Sequence, residues 1–504
     1  MFEGSSLLRD LGLNTTRVFL LAFTVTYVIY KFFELKKKSP GSLPPGPKGL
    51  PFVGVLPYLG RDPRAVFSKY AGEYGDVCTV WLGREPVVFL NKASTVKEAF
   101  SKMGHAFSDR PHILFIDYIT EGKGIISSSG ELWREHRKFS HTVMKDFGMG
   151  RSMLEDTVQK SLEHLHYAIM REKGESFDPH KLLLGTVSNV VNSIVFGKSF
   201  EYDDPNFLYI LDVLEDSFRV LGASGILNFF PFLINLPGDY FGIKKILTTK
   251  IKVHNFYSRF CDEHLNTLKA GVTRDFVDAY LNRMMEYEDN DKKTTFSKEQ
   301  LVQVMGDLFT AGAETTSTTL RWGFAYLLNY PKVQARLQQE IDCVIGSDRH
   351  PTLQDRLKMP YTEAYITELQ RISDIVPFGV PHAATEDVEF RGYHIPKGTQ
   401  IWPNLYHIHH NSTDWESPEE FNPDRFIDVN GKFQRPDNVL PFSIGRRVCL
   451  GESLARMELF LFTTSILQKF TATPPEGGQL PPLNGILGVS HMPQHFKMRF
   501  VART

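Results

Sequence analysis

The run Phe442-Ser-Ile-Gly-Arg-Arg-Val-Cys-Leu-Gly451 gathers more chemistry than any other stretch of this 504-residue chain. Cys449 stands just ahead of a helix predicted to open at Glu452, so the first amides of that helix point at its sulfur and favour the thiolate. Gly445 and Gly451 let the backbone bend tightly round it. Arg447 adds positive charge, and Phe442 can cover the sulfur and keep water away. A dry thiolate with one free coordination direction suits an axial ligand of iron. Cysteines in blander surroundings act as small buried hydrophobes, which is the reading for Cys261 and Cys343.

A second group, Ala311-Gly-Ala-Glu-Thr-Thr316, lies in the middle of a predicted helix. Taken alone, Ala-Gly-Ala marks a close helix crossing, and the Thr315 hydroxyl bonds back to a carbonyl one turn earlier. Beside an iron thiolate the same residues read differently. Ala311 and Gly312 leave room for a flat macrocycle and dioxygen, while Thr315 and Glu314 hold waters that deliver protons. Further along, Glu368 and Arg371 are spaced i, i+3 on one helix face, which for a surface pair is worth only ~0.2 to 0.5 kcal/mol.

The pattern F-x-x-G-x-R-x-C-x-G matches in full the haem-binding signature of the cytochrome P-450 family, and the chain resembles that family throughout, with its landmarks from Trp133 to Gly451 in the family's order. The resemblance implies a mainly α fold with a minor β region, a single large domain, and haem b with Cys449 as axial ligand. It implies proton delivery by Thr315 and Glu314, and cofactor contacts from Ala311 and Phe442. Propionates fall to Trp133 and Arg137 of the W-x-x-x-R motif, His382 of Val380-Pro-His-Ala-Ala, and Arg447. It joins Glu368 and Arg371 to Arg425 of Pro423-Asp-Arg-Phe426 in a buried ionic triad, Asp424 standing where the family usually has Glu. The implied reaction inserts one oxygen atom of O2 into a lipophilic substrate, whether steroid, sterol-derived hormone, fatty acid or xenobiotic. Electrons come from NADPH through a membrane-bound NADPH-cytochrome reductase, with cytochrome b5 as a further donor, docking on a basic patch of Arg134, Lys138 and Arg446. Family-equivalent loops supply Phe115, Phe309, Val376, Phe378 and Leu487 as substrate contacts. The C-terminal half, including Ala455-Arg-Met-Glu-Leu-Phe-Leu-Phe462, is similar to the animal microsomal group of vitamin D 25-hydroxylase, fatty-acid hydroxylases and ecdysteroid hydroxylases. Two rivals keep the haem: an isomerase or dehydratase acting on a lipid hydroperoxide without reductase, and a haem-thiolate sensor. Members of the former kind tend to lose the acid–alcohol pair that Glu314 and Thr315 supply here.

These groups need long elements to hold them. Ser297-Lys-Glu-Gln300 has the form of a capping box, and no proline interrupts the pattern from there to Asn329, so the spacing predicts a helix of about 32 residues, roughly 48 Å long. Apolar residues on opposite faces, Leu301, Val304 and Leu308 against Phe309, Leu320 and Trp322, predict burial nearly all round. Further helices are predicted over 156–172, 188–195, 208–221, 332–344, 361–372 and 452–470. A hairpin is predicted over Val77–Leu82 and Val87–Leu90, and a second β-rich patch over Val388–Trp402.

The composition fits this frame. Lys plus Arg number 57 and Asp plus Glu 58, so the formal charge is −1, and there is no basic block to mark a nucleic-acid footprint. Four scattered cysteines exclude a disulfide scaffold and a cysteine-rich zinc site. The apolar run Val18–Tyr30, extended by Phe32 and Phe33, has about 16 mostly apolar positions, just short of the ~17 to 25 that span a bilayer. Lys31, Lys36, Lys37 and Lys38 follow it where a cleavage site would stand, which favours an uncleaved anchor over a signal peptide. The expected organisation is a membrane signal-anchor at 1–38, a Pro/Gly-rich hinge at 39–51 that forms a stiff spacer, and a haem-binding domain at 52–504. It places the protein in the endoplasmic reticulum membrane, single-pass, with the catalytic domain cytosolic.

Overall fold

The computed structural model describes Tyr27 and residues 43–148, 152–223, 227–230, 233, 238–239, 242–269, 271–289 and 294–503. The expected anchor at 1–38 lies outside the described residues apart from Tyr27, and among those described no helix is long and apolar enough to cross a membrane. In chain order, α1 (Arg64–Tyr74) leads into the hairpin β1 (Val77–Leu82) and β2 (Glu85–Leu90). Helices α2 (Ala93–Lys97), α3 (Leu114–Thr120), α4 (Gly130–Asp146), α5 (Ser152–Arg171), α6 (His180–Val195), α7 (Pro205–Ala223), α8 (Ile243–Thr267), α9 (Phe276–Asp289), α10 (Lys298–Asn329), α11 (Pro331–Val344) and α12 (Pro360–Ser373) follow. After them come β3 (His382–Ala383), β4 (Val388–Phe390), β5 (Tyr393–Ile395), β6 (Gln400–Pro403) and α13 (Leu405–His410), then α14 (Glu452–Lys469), β7 (Phe470–Thr473), β8 (Ile486–Leu487), β9 (His491–Met492) and β10 (Arg499–Ala502).

The long helix forms where it was expected. Ser297 is extended, and its side chain accepts from the Gln300 amide at 3.2 Å, which satisfies one of the free N–H groups at the helix start. The capping box is only half made, because the Gln300 side chain turns away and clamps Gly124, accepting from its amide at 3.0 Å and donating to its carbonyl at 3.1 Å. Tyr330 ends the helix and Pro331 opens α11. Most of α10 is buried, and its apolar residues join those of α5, α6, α8, α9, α11, α12 and α14 in the main core. The crossing with α6 is close: a Cβ on Gly312 would lie 2.8 Å from Val191 Cγ2. The small size of Gly312 therefore serves helix packing, and Ala311 alone of that pair faces open space.

The largest sheet has the order β1-β2-β6-β3, with β6 parallel to β2 and antiparallel to β3. The β1–β2 turn is tighter than predicted, because Glu85 and Pro86 already pair with Leu82 and Trp81. In the hairpin of β4 and β5, Arg391 and Gly392 both have positive φ, 51° and 79°, as a primed two-residue turn requires. The part of the expected hinge that is described is packed on this sheet: Thr79 N donates to Pro45 O at 2.9 Å, and a Cβ on Gly46 would lie 1.7 Å from Thr79 O. From Leu43 onward the proline-rich segment belongs to the body and does not span free space.

The helical expectations need revision. α6 begins at His180, two turns earlier than expected, and α8 and α9 were not foreseen. The short helices α1, α2, α3 and α13 were not predicted either. Cys261 is buried as expected, whereas Cys343 is exposed on α11.

Candidate active site

The loop before α14 is shaped by its first glycine. Gly445 has φ +81°, and a Cβ there would lie 1.9 Å from Phe100 O in the turn Glu98–Lys102. No other residue fits. Gly451 is different, with φ −90° and no protein atom within 4 Å of a Cβ, so the bend does not depend on it. Cys449 N closes the loop by donating to Phe442 O at 3.0 Å. The Phe442 ring is half-buried and lies under the Arg456 guanidinium, 5.0 Å from its centroid.

The Cys449 side chain is accessible, yet burial is the largest influence on its thiol. Both statements hold if the sulfur faces an enclosed space inside the fold. The backbone amides of Gly451 and Glu452 point at it as expected, but burial outweighs them and pushes the thiol pKa up. A pre-ionised thiolate is therefore not what the polypeptide alone produces; the amides and Arg137 prepare the sulfur to lose its proton to a metal.

Beside the cysteine lies a cluster of cations. Arg447, buried on the 3-10 turn Gly445–Arg447, donates to the carbonyls of Ser108 (2.8 Å), Ile125 (3.2 Å) and Ser128 (2.6 Å), and its guanidinium lies 3.8 Å from the Trp133 ring centroid. Arg137, one turn after Trp133 on α4, donates to Val448 O. Arg110 donates to Ile126 O at 2.9 Å and to the carbonyls of Val380 and Pro381 at 2.9 and 2.7 Å. Burial first, then the neighbouring guanidiniums, press the pKa values of Arg447 and Arg110 downward. His382 on β3 is stacked on Phe100 at 3.8 Å and shares its Nδ1 with Phe107 O at 2.7 Å. Burial, then the charge of Arg110, hold that ring well below the usual imidazole value, so the neutral tautomer donates from Nδ1.

Among the described residues these three guanidiniums donate to backbone carbonyls, and the buried Trp133 Nε1 has no partner there. The charge of Asp109 bears on Arg447, but among the described residues no acid is hydrogen-bonded to these guanidiniums, and like charges gathered in a buried place favour an anion. A ligand with two carboxylates beside a flat apolar body fits, which is what a haem presents. Arg110 was missed in the sequence, where Asp109-Arg-Pro111 shows no periodic signal; its place in the cluster comes only from the fold.

On the far side, α10 exposes Ala311 and half-exposes Thr315 in the midst of buried neighbours. Thr315 Oγ1 donates to Ala311 O at 2.8 Å. Glu314 does not join it: the carboxyl is buried on the next face of the helix, where Oε1 accepts from Thr318 at 3.0 Å and Oε2 has no partner among the described residues. Burial pushes its pKa up, against the pull of Thr318, His180 and Arg321. Asp307, two turns upstream of Thr315, was also missed. Its Oδ2 accepts from the amides of Ile125 (2.6 Å) and Ile126 (2.9 Å), and with Gln300 on Gly124 it pins the loop that Arg447 and Arg110 hold from the other side. A lone carboxylate at a core position of a buried helix was the available signal.

The triad is assembled. Arg371 donates to Glu368 at 2.6 and 2.9 Å, Arg425 donates to Glu368 at 3.0 Å, and Glu368 and Arg371 are fully buried. Asp424 pairs with Arg336 on the surface instead. Arg134, Lys138 and Arg446 are exposed. Among the expected substrate contacts, Phe309 is buried against Tyr257, and Phe378 packs edge-on against Phe67 and Phe89 at the sheet. A surface hollow lined by Arg336, Glu340, Cys343 and Tyr361 shares no residue with this site.

The family model "Cytochrome P450" matches residues 44–500. The chain is 42% identical over 493 residues to cytochrome P450 2B4 of Oryctolagus cuniculus, covering 96% of this chain and 99% of the relative. It is 39% identical over 491 residues to cytochrome P450 2F2 of Rattus norvegicus (96% and 98%) and 43% identical over 457 residues to cytochrome P450 2C20 of Macaca fascicularis (90% and 92%). With a cysteine loop, a carbonyl-tethered cation cluster and a long central helix in one fold, and a family match across almost all of it, the chain belongs to the cytochrome P450 family, whose members bind haem b through a cysteine thiolate.

Proposed function

We propose that this oxidoreductase is a haem-thiolate monooxygenase that inserts one oxygen atom from O2 into a lipophilic substrate, with electrons from NADPH passed on by a flavoprotein reductase. The observation that carries the reading is Cys449: a sulfur that is accessible yet dominated by burial, framed by amides and set beside cations whose hydrogen bonds go to backbone carbonyls. When bound, haem supplies dioxygen binding and stepwise reduction at its iron. Cys449 is assigned as the metal ligand; Trp133, Arg137, His382 and Arg447, with Arg110, are assigned to the propionates.

The chain's own work on the oxygen side is proton handling. Thr315 already spends its O–H on Ala311 O, so toward the open space it presents lone pairs that accept from, and fix, a water molecule. Burial pushes the Glu314 carboxyl up, toward its protonated form, and rotation about its side-chain bonds carries it from Thr318 round to the face of Ala311 and Thr315. A buried carboxyl whose protonated form is favoured, brought near a fixed water, is placed to donate a proton to it. Arg134, Lys138 and Arg446 form the docking face for an acidic electron donor, cytochrome b5 included, and residues 1–38 anchor the protein in the endoplasmic reticulum membrane.

The test is spectroscopic and isotopic. Cys449→Ser is expected to keep its helical circular dichroism and lose the red-shifted Soret band of the ferrous carbonyl complex; a retained band overturns the ligand assignment. With NADPH, reductase and isotopically labelled dioxygen, product gains one labelled oxygen. Turnover of a lipid hydroperoxide with neither reductase nor NADPH, and no labelled product, overturns the monooxygenase reading.

A further inference from the structure

The β8–β9 hairpin pairs only Leu487 with His491 and Ile486 with Met492. A two-stranded ladder that short does not hold itself together, and this one is tied down at His491, which is buried. The His491 amide donates to Ile375 O at 2.8 Å, its carbonyl accepts from Trp322 Nε1 of α10 at 2.9 Å, and its Nδ1 lies 2.7 Å from Ser373 O at the end of α12. The ring centroid is 4.9 Å from that of Trp322, and a Cβ on Gly485 would lie 2.5 Å from His491 Nε2. The hairpin therefore has no slack against the ring. Two segments expected to touch substrate meet here: Leu487 is directly across the ladder from His491, and Val376 follows the Ile375 carbonyl that His491 holds.

One further tie to His491 comes from α1. Because Nδ1 faces a carbonyl it carries the proton, so Nε2 presents a lone pair. Nη1 of Arg64, the first residue of α1, lies 3.1 Å from each ring nitrogen, and its N–H meets that lone pair. Burial first, then the Arg64 charge, hold the imidazole down to about 4, which keeps it neutral beside the guanidinium. The guanidinium is itself fixed: Nε and Nη2 donate to the Asp62 carboxylate at 2.9 and 2.7 Å, and the Tyr406 ring centroid lies 5.3 Å away. A planar fork held along one edge by a carboxylate keeps its remaining N–H groups in one place. The Arg64 side chain is 13% exposed and that of Asp62 49%, so the pair reaches from the surface to the buried ring.

We infer that Arg64 is a positioning residue for substrate selection: by fixing His491 it sets the spacing between Leu487 and Val376, and with it the length of lipophilic molecule that lies between the hairpin and the loop after α12. The inference rests on the reading of the chain as a haem-thiolate monooxygenase whose substrate touches these two residues. Losing Arg64 frees the Nε2 side of the ring but leaves the ties to Ile375, Ser373 and Trp322, so the hairpin loosens without unfolding. None of the residues in this set belongs to the cysteine loop or to the cation cluster, so the change falls on the tail of a bound molecule and not on the group at the iron.

The test uses the full-length holoenzyme. Imidazole, N-butylimidazole and N-dodecylimidazole are titrated and read by the Soret shift that a nitrogen ligand on haem iron produces, and amide hydrogen exchange over residues 486–492 is followed in the ligand-free protein. Arg64→Leu is expected to speed exchange of the His491 amide about tenfold, the scale of one lost hydrogen bond to a charged group. It should leave the Kd of imidazole unchanged and shift the ratio of the dodecyl to the butyl Kd about tenfold, which is what a misfit of roughly one methylene is worth. Arg64→Lys, which keeps a charged donor, should recover part of that ratio. Asp62→Asn, at a half-exposed position, should move both readouts the same way by less, and stands in if Arg64→Leu does not fold. If all three ligands weaken by one common factor, Arg64 supplies stability only and the inference is overturned. It is equally overturned if hairpin exchange rises while the ratio stays put, because the hairpin then does not set the length of the site. If the parent protein shows no Soret shift with imidazole, the haem-thiolate reading falls first and this one with it.

Discussion

At the scale of single residues, the two glycines of the cysteine loop separate what the motif requires from what it tolerates. Gly445→Ala places a methyl 1.9 Å from Phe100 O on a backbone with φ +81°. Strain of that kind alone costs roughly 1 to 3 kcal/mol, and the displaced Phe100 backbone carries the ring that stacks on His382. The expected outcome is a fall in the urea unfolding midpoint together with loss of haem during purification. Gly451→Ala meets ordinary φ and no protein atom, so it should stay within about 0.5 kcal/mol of the parent. Equal effects from the two would show that the loop is not pinned by Phe100. Arg371→Ala leaves Glu368 buried against Arg425 alone, and removing one partner of a buried pair costs ~3 to 5 kcal/mol. Cys449, Arg447 and Phe442 were legible because one loop carries them at fixed spacing, as were Trp133 and Arg137 at i, i+4. Arg110 and Asp307 were not, because what defines each is contact with a distant segment.

At the scale of elements, α10 was legible to its ends, since Ser297, an unbroken run and Pro331 are local signals that the fold does not overrule. α8 was missed because Thr248, Thr249, Lys250, Lys252 and His254 break the apolar stripe, and its helical state comes from Tyr257, Phe260 and Cys261 packing into the core. The half-made capping box shows tertiary demand redirecting a local motif: Gln300 is spent on Gly124, and Asp307 on the next two amides. Ser297→Ala should cost about 1 kcal/mol, the usual loss of one cap. Gln300→Leu leaves the Gly124 amide unpaired at roughly 1 to 3 kcal/mol, while Ser128 Oγ still donates to the Gly124 carbonyl. It should also speed amide hydrogen exchange at Gly124 and Ile125 by at least tenfold, while Ser297→Ala leaves those two amides unchanged. If both variants loosened the loop alike, the clamp would be a consequence of helix stability and not a separate tie.

At the scale of the whole molecule, buried ionisable groups set how stability responds to pH. His410 on α13 lies between Asp374 Oδ2 at 2.6 Å and Glu419 Oε1 at 2.9 Å; burial opposes its charge, but the two carboxylates win and raise its pKa to about 9. Glu458 on α14 is buried next to Thr316 of α10, and burial raises its carboxyl to about 8. Both folded values lie above the unfolded ones, near 6.5 and 4.5. The stability each adds is therefore complete below its unfolded value and is lost as pH rises through its folded value. Between pH 7 and pH 10 the loss is about 3 kcal/mol from His410 and about 1 kcal/mol from Glu458, at ~1.4 kcal/mol per pH unit. On the acid side His166 and His491, held down to about 4 by burial first, stabilise the fold above about 6.5 and cease to do so as pH falls through 4. The two alkaline groups separate by substitution. His410→Gln leaves the Asp374 charge uncompensated, so the urea midpoint should drop at pH 7 and approach the parent's at pH 10. Glu458→Gln stays neutral at every pH, so it should match the parent only below about pH 4.5, gain on it as pH rises from there through about 8, and exceed it most at pH 10. A parallel offset of both variants at all pH values would mean that neither group carries the alkaline limb, and that the core of α10 and α14 loosens for a reason other than the ionisation of these two side chains.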